Sequence, residues 1–172
     1  SDGDGIGDLQ GVISKLDYLQ ALGIQGIWLM PIHPSTSYHK YNVSDYYAID
    51  PDYGTLEDFK NLVNEAHKRG IRVIIDLVVN HTSDSHPWFK AACSHIRTSG
   101  EPGGEYGDFY NFRVTDNNAY HSVTGTRYSY EGQFWSGMPD LNLDSENVRN
   151  EIRNIMSYWL NDYGVDGFRL DA

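Results

Sequence analysis

Two rhythms of apolar residues alternate along the chain. Leu9, Val12, Ile13, Leu16, Leu19 and Leu22 recur at helical spacing, which predicts one buried helix face. Gly23 offers a left-handed stop, residues 24–30 are largely apolar and read as a strand, and Pro31 closes them. The same order returns further on. Thr55 is a good N-cap with Asp58 placed for a capping box. Leu56, Phe59, Leu62, Val63 and Ala66 form the stripe, Gly70 stops the helix, and residues 71–79 read as the next strand. In the last copy Asp144 or Ser145 caps a helix bearing Val148, Ile152, Ile155, Met156 and Trp159. Gly164 stops it, and residues 165–171 read as a third strand.

Helices alternating with near-continuous apolar strands predict an α/β fold with parallel strands and helical crossovers. An open doubly wound sheet and a closed (β/α)8 barrel both satisfy the pattern. No G-x-G-x-x-G follows a strand, which disfavours a nucleotide fold. Gly3, Gly5 and Gly7 precede a helix, but Asp2, Asp4 and Asp8 lie among them and would repel a phosphate. From about residue 80 to 144 the alternation breaks into a stretch rich in Gly, Tyr, Asn, His and Ser. It far exceeds the roughly 2–6 residues of an ordinary βα loop. The expected organisation is therefore a first α/β part at 1–80, an inserted subdomain at 81–143, and a return to the α/β part at 144–172. An insert at a strand end shapes the active face of such a fold.

Composition narrows the partners. A net charge of −11 argues against nucleic-acid backbones and anionic membranes. No apolar run approaches roughly 18 residues, so no membrane span is expected. Cys93 is alone, which excludes an intrachain disulfide and a cysteine-rich metal site. The 13 Tyr and 4 Trp suffice for sugar-stacking platforms, although ordinary cores use the same rings. No signal peptide is visible and Ser1 does not read as a natural start, so no location is assigned.

Chemistry collects at the ends of the expected strands. Arg169 and Asp171 are i and i+2 of one strand and point to the same side. A guanidinium beside a carboxylate keeps it ionised, as a nucleophilic aspartate requires. A structural Arg–Asp pair capping a buried strand is the plain alternative. The second strand ends Asp76-Leu77-Val78-Val79-Asn80-His81. The first leads into Pro31, Ile32, His33 and the loop Tyr38-His39-Lys40-Tyr41-Asn42. His81 alone reads more readily as a hydrogen-bonded structural histidine. Together these groups mark the carboxyl ends of parallel strands, where α/β enzymes keep their sites.

Three segments of the chain carry a resemblance. Residues 76–81 resemble the first signature of the α-amylase family, glycoside hydrolase family 13. Residues 167–172, Gly-Phe-Arg-Leu-Asp-Ala, resemble its second. Met138-Pro139-Asp140-Leu141-Asn142 is similar to the short motif near the end of the family's inserted domain B. Its form is that of bacterial α-amylases intermediate between the oligo-1,6-glucosidase and neopullulanase groups. The resemblance implies a partial (β/α)8 TIM barrel, about strands 2–4 with helices 1–3, and domain B inserted after the third barrel strand. A complete barrel has eight strands over roughly 250 residues, so the chain is expected to be a piece of one.

The resemblance also implies roles. Asp171 is the expected nucleophile of a retaining glycosidase, forming a glycosyl–enzyme intermediate, and Arg169 holds it ionised and oriented. His81 hydrogen-bonds sugar hydroxyls and Tyr41 stacks on the sugar ring. Asp76 and Asn80 support the strand end; Asp76 is costly in so apolar a strand without partners. The expected substrate is an α-glucan or oligosaccharide such as starch or maltodextrin, cleaved at α-1,4 glucosidic bonds, with α-1,6 bonds left open as a second linkage. The acid/base glutamate and the third carboxylate are expected beyond Ala172, so residues 1–172 alone are expected to be inactive. Glu101, Glu105 and Glu131 read as solvated surface, not as substitutes. Trp88 reads either as a sugar platform or as a packed anchor.

The amino-terminal loop resembles the family's calcium loop. The carboxylates of Asp2, Asp4 and Asp8 and the carbonyl of Ile6 are the implied ligands of a structural Ca2+; a plain acidic N-cap run is the alternative. Many glucosidases of the family carry an aspartate and a glycine before the stacking tyrosine. Here the loop reads Tyr38-His39-Lys40-Tyr41, which favours endo action. The remaining alternatives are an α-glucosidase or transglycosylase of the same family, and a catalytically inactive amylase-like binding subunit. The presence of Asp171, Arg169 and His81 weighs against the last.

Overall fold

A computed structural model describes residues 5–115 and 117–172. The order of elements is α1 (Leu9–Ile13), α2 (Leu16–Ala21), β1 (Gly26–Leu29), α3 (Leu56–Lys68), β2 (Arg72–Val78), α4 (Pro87–Ser99), β3 (Phe112–Arg113), β4 (Tyr120–Ser122), β5 (Ser129–Glu131), α5 (Glu146–Ser157) and β6 (Gly167–Asp171). The chain divides into two units. One comprises Ser1–Pro34, Tyr46–Leu77 and Ile155–Asp171; the other comprises Ser35–Asp45, Val78–Asn154 and Ala172. No helix among the described residues is long and apolar enough to cross a membrane.

The first unit holds a three-stranded sheet in the order β1-β2-β6. β1 and β2 are parallel, with Gly26 opposite Arg72 and Leu29 opposite Ile75. β2 is central, and Val73, Ile75, Asp76, Leu77 and Val78 are all buried. That burial is why its sequence runs apolar without alternation. Helix α3 forms where its stripe predicts. Thr55 and Asp58 complete a reciprocal capping box, and Phe59, Leu62, Val63 and Ala66 are buried. Trp159 is fully buried, meets Phe59 in a T-shaped contact at 5.2 Å, and donates its indole N–H to the Tyr46 carbonyl at 2.9 Å. The chain over Tyr158–Asp162 widens into a π-helical turn. The glycine stops after the three helices adopt φ of 80°, 70° and 73° at Gly23, Gly70 and Gly164.

Two details differ from the sequence reading. The expected single helix over residues 9–22 breaks between Ile13 and Leu16. Lys15 donates to Val12 in a tighter i→i+3 bond, and the Ser14 hydroxyl donates to the Gly11 carbonyl, so the ladder is interrupted locally. Only Leu9 and Leu16 of its stripe are buried. The outer strands are also shorter than their apolar runs, β1 beginning at Gly26 and β6 at Gly167.

The second unit contains α4 and a small antiparallel sheet in the order β3-β5-β4. Pro87 opens α4 at a position that needs no N–H donor, and Gly100 ends it at φ 85°. Phe89, Ala92, Cys93, Phe109, Tyr110, Val123, Tyr130, Leu141 and Val148 form its core. Burial pushes the Cys93 thiol up to about 11, which keeps it an inert core residue. The unit also takes in Ser35–Asp45, the loop bearing Tyr41, which the expected insert at 81–143 did not include.

Candidate active site

In the first unit the chemistry centres on Asp76. Its side chain is completely buried, and donors converge on it from both neighbouring strands. The Trp28 indole N–H of β1 donates to Oδ2 at 3.2 Å. Arg169 of β6 donates to Oδ1 and Oδ2, each at 3.2 Å. The same guanidinium lies 5.3 Å over the Trp28 ring, a cation–π arrangement. These contacts relieve the desolvation of a carboxylate in an apolar strand. The nitrogen that holds Asp76 also hydrogen-bonds Asp171 Oδ1, so Arg169 bridges two carboxylates. The hydrogen bonds that Arg169 donates, to Asp171 first and Asp76 second, raise the guanidinium pKa further. The strand spacing that predicted Arg169 beside Asp171 is therefore realised.

Trp28 and Asp166 carry no motif and escaped sequence reading. Asp166 joins the starts of β2 and β6. Its Oδ2 accepts the Val73 amide at 2.7 Å and faces His67 Nε2 at 2.7 Å, while its own amide donates to the Val73 carbonyl at 2.8 Å. Burial acts to raise the Asp166 carboxyl, but the Val73 and His67 hydrogen bonds outweigh it and the net shift is downward.

In the second unit His81 and Asn80 lie beside the Met138–Asn142 segment. His81 pairs with Asp140 in an isolated antiparallel bridge. Leu141 donates its amide to the Asn80 carbonyl at 2.7 Å, and Thr82 donates to the Pro139 carbonyl at 3.1 Å. His81 is 1% exposed. Its Nε2 lies 3.2 Å from the Tyr41 carbonyl, and its Nδ1 lies 3.3 Å from Asn80 Nδ2. A neutral imidazole with its proton on Nε2 satisfies both. The second Asn80 amide proton goes to Asp140 Oδ1 at 3.2 Å. Burial pushes the Asp140 carboxyl up, opposed by the Gln133 amide. Phe134, 58% exposed, meets the His81 ring at 5.2 Å.

Tyr41 is positioned by its loop. Buried Asn42 donates to Thr36 Oγ1 at 2.6 Å and accepts from Ser35 Oγ at 3.0 Å. The Tyr41 amide donates to His39 Nδ1 at 3.1 Å, and the two rings lie 5.8 Å apart. Lys40 takes φ 65°, a conformation that glycine adopts freely. The departure from a glycine at this position thus keeps the turn and adds a side chain.

Asp2 and Asp4 lie outside the described residues. Asp8 accepts the Gly11 amide at 2.6 Å through Oδ1 and caps α1. Ile6 is 43% exposed. Among the described residues no three His, Cys, Asp or Glu side chains converge on a cation position. Glu101 and Glu105 are exposed. Glu131 is half-buried and braces Asn111 and Gln133, each at 2.9 Å, which makes it more structural than the solvated-surface reading allowed.

A strand-borne guanidinium thus grips two carboxylates at the sheet of an α/β protein. The chain belongs to the α-amylase family, since the family model for the α-amylase catalytic domain matches residues 1–172. Alpha-amylase 3 of Dictyoglomus thermophilum is 50% identical over 177 residues, covering 100% of this chain and 34% of that protein. Oligo-1,6-glucosidase of Parageobacillus thermoglucosidasius is 42% identical over 186 residues, covering 100% and 32%. Among solved structures, Eubacterium rectale Amy13B matches with a TM-score of 0.93 at 56% identity, over 99% of this chain and 34% of that one. The chain spans about a third of the length of the curated relatives it matches. The sheet of the first unit is accordingly part of a (β/α)8 barrel.

Proposed function

We propose that this chain is part of the catalytic domain of a retaining glycoside hydrolase acting on α-1,4-glucosidic bonds of starch or maltodextrins. The observation that carries the reading is the Arg169 bridge, which turns one Asp171 oxygen toward a fixed cation at the end of β6. In this reading Asp171 attacks the anomeric carbon and the leaving sugar departs. Arg169 restrains the attacking carboxylate, and Asp76 and Trp28 restrain Arg169. Retention requires a second carboxyl group about 5–5.5 Å from the nucleophile to act as acid and then base. We assign that group to the part of the enzyme that this chain does not include. His81 takes a sugar hydroxyl on Nε2 in exchange for the Tyr41 carbonyl, Asn80 fixes its tautomer, and Tyr41 stacks on the ring.

Residues 81–143 serve as the inserted domain that shapes substrate access. A structural Ca2+ held by Asp2, Asp4, Asp8 and the Ile6 carbonyl belongs to the same proposal. Its test is a fall in the melting temperature of the full-length enzyme on chelation, restored by Ca2+ and not by Mg2+. No restoration rejects the metal. The loop 38–41 supports endo action, because no aspartate precedes Tyr41 to grip a terminal sugar.

Product analysis tests the reaction. Full-length enzyme acting on maltoheptaose is expected to release internal oligosaccharides whose new reducing ends appear first as the α anomer by proton NMR. Initial β-anomer products contradict retention, and glucose as sole product contradicts endo action.

A further inference from the structure

The second unit contains a polar cavity that shares no residue with the catalytic and sugar-binding assignments proposed above. It encloses about 340 Å3, inside the range of roughly 300–1,000 Å3 typical of small-molecule sites. One wall is aromatic. The Trp88 and Tyr106 rings are 20° from parallel with centroids 6.3 Å apart. Phe109, itself buried, meets both in T-shaped contacts at 5.2 Å and 5.1 Å. His86 backs Trp88 at 4.1 Å. The two rings are thus a fixed pair, and each stays only half-buried.

The facing wall is one side of α5. Asn147, Asn150, Glu151 and Asn154 all line the cavity and recur at i, i+3, i+4 and i+7, a single helical face. Asparagine is a weak helix former, so three on one face serve the helix poorly. Neighbours orient these amides. Asn147 Nδ2 donates to Asp108 at 2.8 Å, Asn154 Nδ2 donates to Glu151 at 3.2 Å, and Asn150 Oδ1 accepts from Arg153 at 2.6 Å. The cavity therefore combines aromatic faces with a row of aimed amide donors and acceptors. The carboxylates of Glu105 and Glu151 disfavour an anionic ligand, and an apolar ligand would leave the amides unsatisfied. A sugar matches both walls: its C–H face stacks on rings, and its hydroxyls pair with amides and carboxylates.

We infer that this cavity is an auxiliary saccharide-binding site, with Trp88 and Tyr106 as the platform and the α5 asparagines as the hydroxyl readers. That the saccharide is an α-glucan rests on the proposed function; the platform and amide row do not. The test uses full-length enzyme labelled with 5-fluorotryptophan in an Asp171→Asn background, titrated with maltotriose and followed by fluorine NMR. Trp88→Phe assigns the resonance. The Trp88 signal is expected to shift saturably at millimolar maltotriose. Asn150→Ala with Asn154→Ala is expected to weaken that titration about tenfold. Both positions are exposed, and alanine is the better helix former, so this variant keeps its fold. No Trp88 shift with either trisaccharide at the solubility limit, or a titration unchanged by the double substitution, overturns the inference; a response to cellotriose in place of maltotriose rejects the α-glucan identity that rests on the proposed function and leaves the saccharide site standing. Residual turnover by Asp171→Asn strikes the catalytic assignment alone and leaves the Trp88 signal as an independent readout.

Discussion

Asp76 is the residue on which the strand-end chemistry depends, and its partners explain why a charge is tolerated there. Three hydrogen bonds from Trp28 and Arg169 reach its two oxygens. Replacing it with alanine takes the acceptor from the Trp28 indole N–H and leaves the Arg169 guanidinium with Asp171 as its remaining carboxylate partner. Asp76→Ala is expected to lower stability by about 2 kcal/mol, read by urea unfolding, and to lower kcat through a mispositioned Arg169. Asp76→Asn keeps an acceptor for Trp28 and is expected to lose less. Asp171→Asn acts differently. Its expected effect is a fall in kcat of at least about 10³-fold with little change in the unfolding midpoint. A large loss of stability instead would make the Arg169–Asp171 contact a structural cap.

At the scale of elements, two helix caps carry measurable energy. Thr55→Ala removes one half of the α3 capping box and is expected to cost about 1 kcal/mol. The α4 cap is expected to respond to pH. His86 is buried, accepts the Trp88 amide at Nδ1 at 3.2 Å, and burial holds its pKa down at about 4 against an ordinary 6.5. The unfolded chain then takes up this proton more readily than the folded one. Stability is therefore lost as pH falls below 6.5, and the slope from this group ends near pH 4. That slope is at most about 1.4 kcal/mol per pH unit. His86→Asn retains an N-cap acceptor and is expected to flatten it; an unchanged slope assigns the pH dependence elsewhere. These elements were legible in the sequence to differing degrees. The stripe of α3 and the Gly70 stop announce themselves by period and residue type. The break at Ser14 does not, because it comes from one local hydroxyl-to-carbonyl bond inside an unbroken apolar period.

For the whole molecule, what was legible was linear. Arg169 beside Asp171 follows from strand spacing, and the 76–81 and 138–142 segments were visible as motifs. Trp28 on Asp76 and Asp166 on Val73 join positions far apart in the chain, and no periodicity encodes such pairs. Exposure of apolar groups in the first unit bears on its behaviour alone. Trp28, Met30 and Leu170 are 49%, 55% and 60% exposed. An apolar cavity of about 510 Å3 also opens among Leu9, Val12, Leu19, Met30 and Ile32. Barrel neighbours would cover such surface and pair the outer strands. Residues 1–172 expressed alone are expected to self-associate on size exclusion and to release no sugar from starch. A monomer with clear turnover would contradict the partial-barrel account.

The central claim is that Asp171 forms the covalent bond to sugar. It is tested most directly by incubating the full-length enzyme with 5-fluoro-α-D-glucosyl fluoride and sequencing the labelled peptide by mass spectrometry. The account predicts a single glycosyl adduct on the Asp171 carboxylate, absent from Asp171→Asn. An adduct on any other carboxylate, or one that persists in Asp171→Asn, contradicts it.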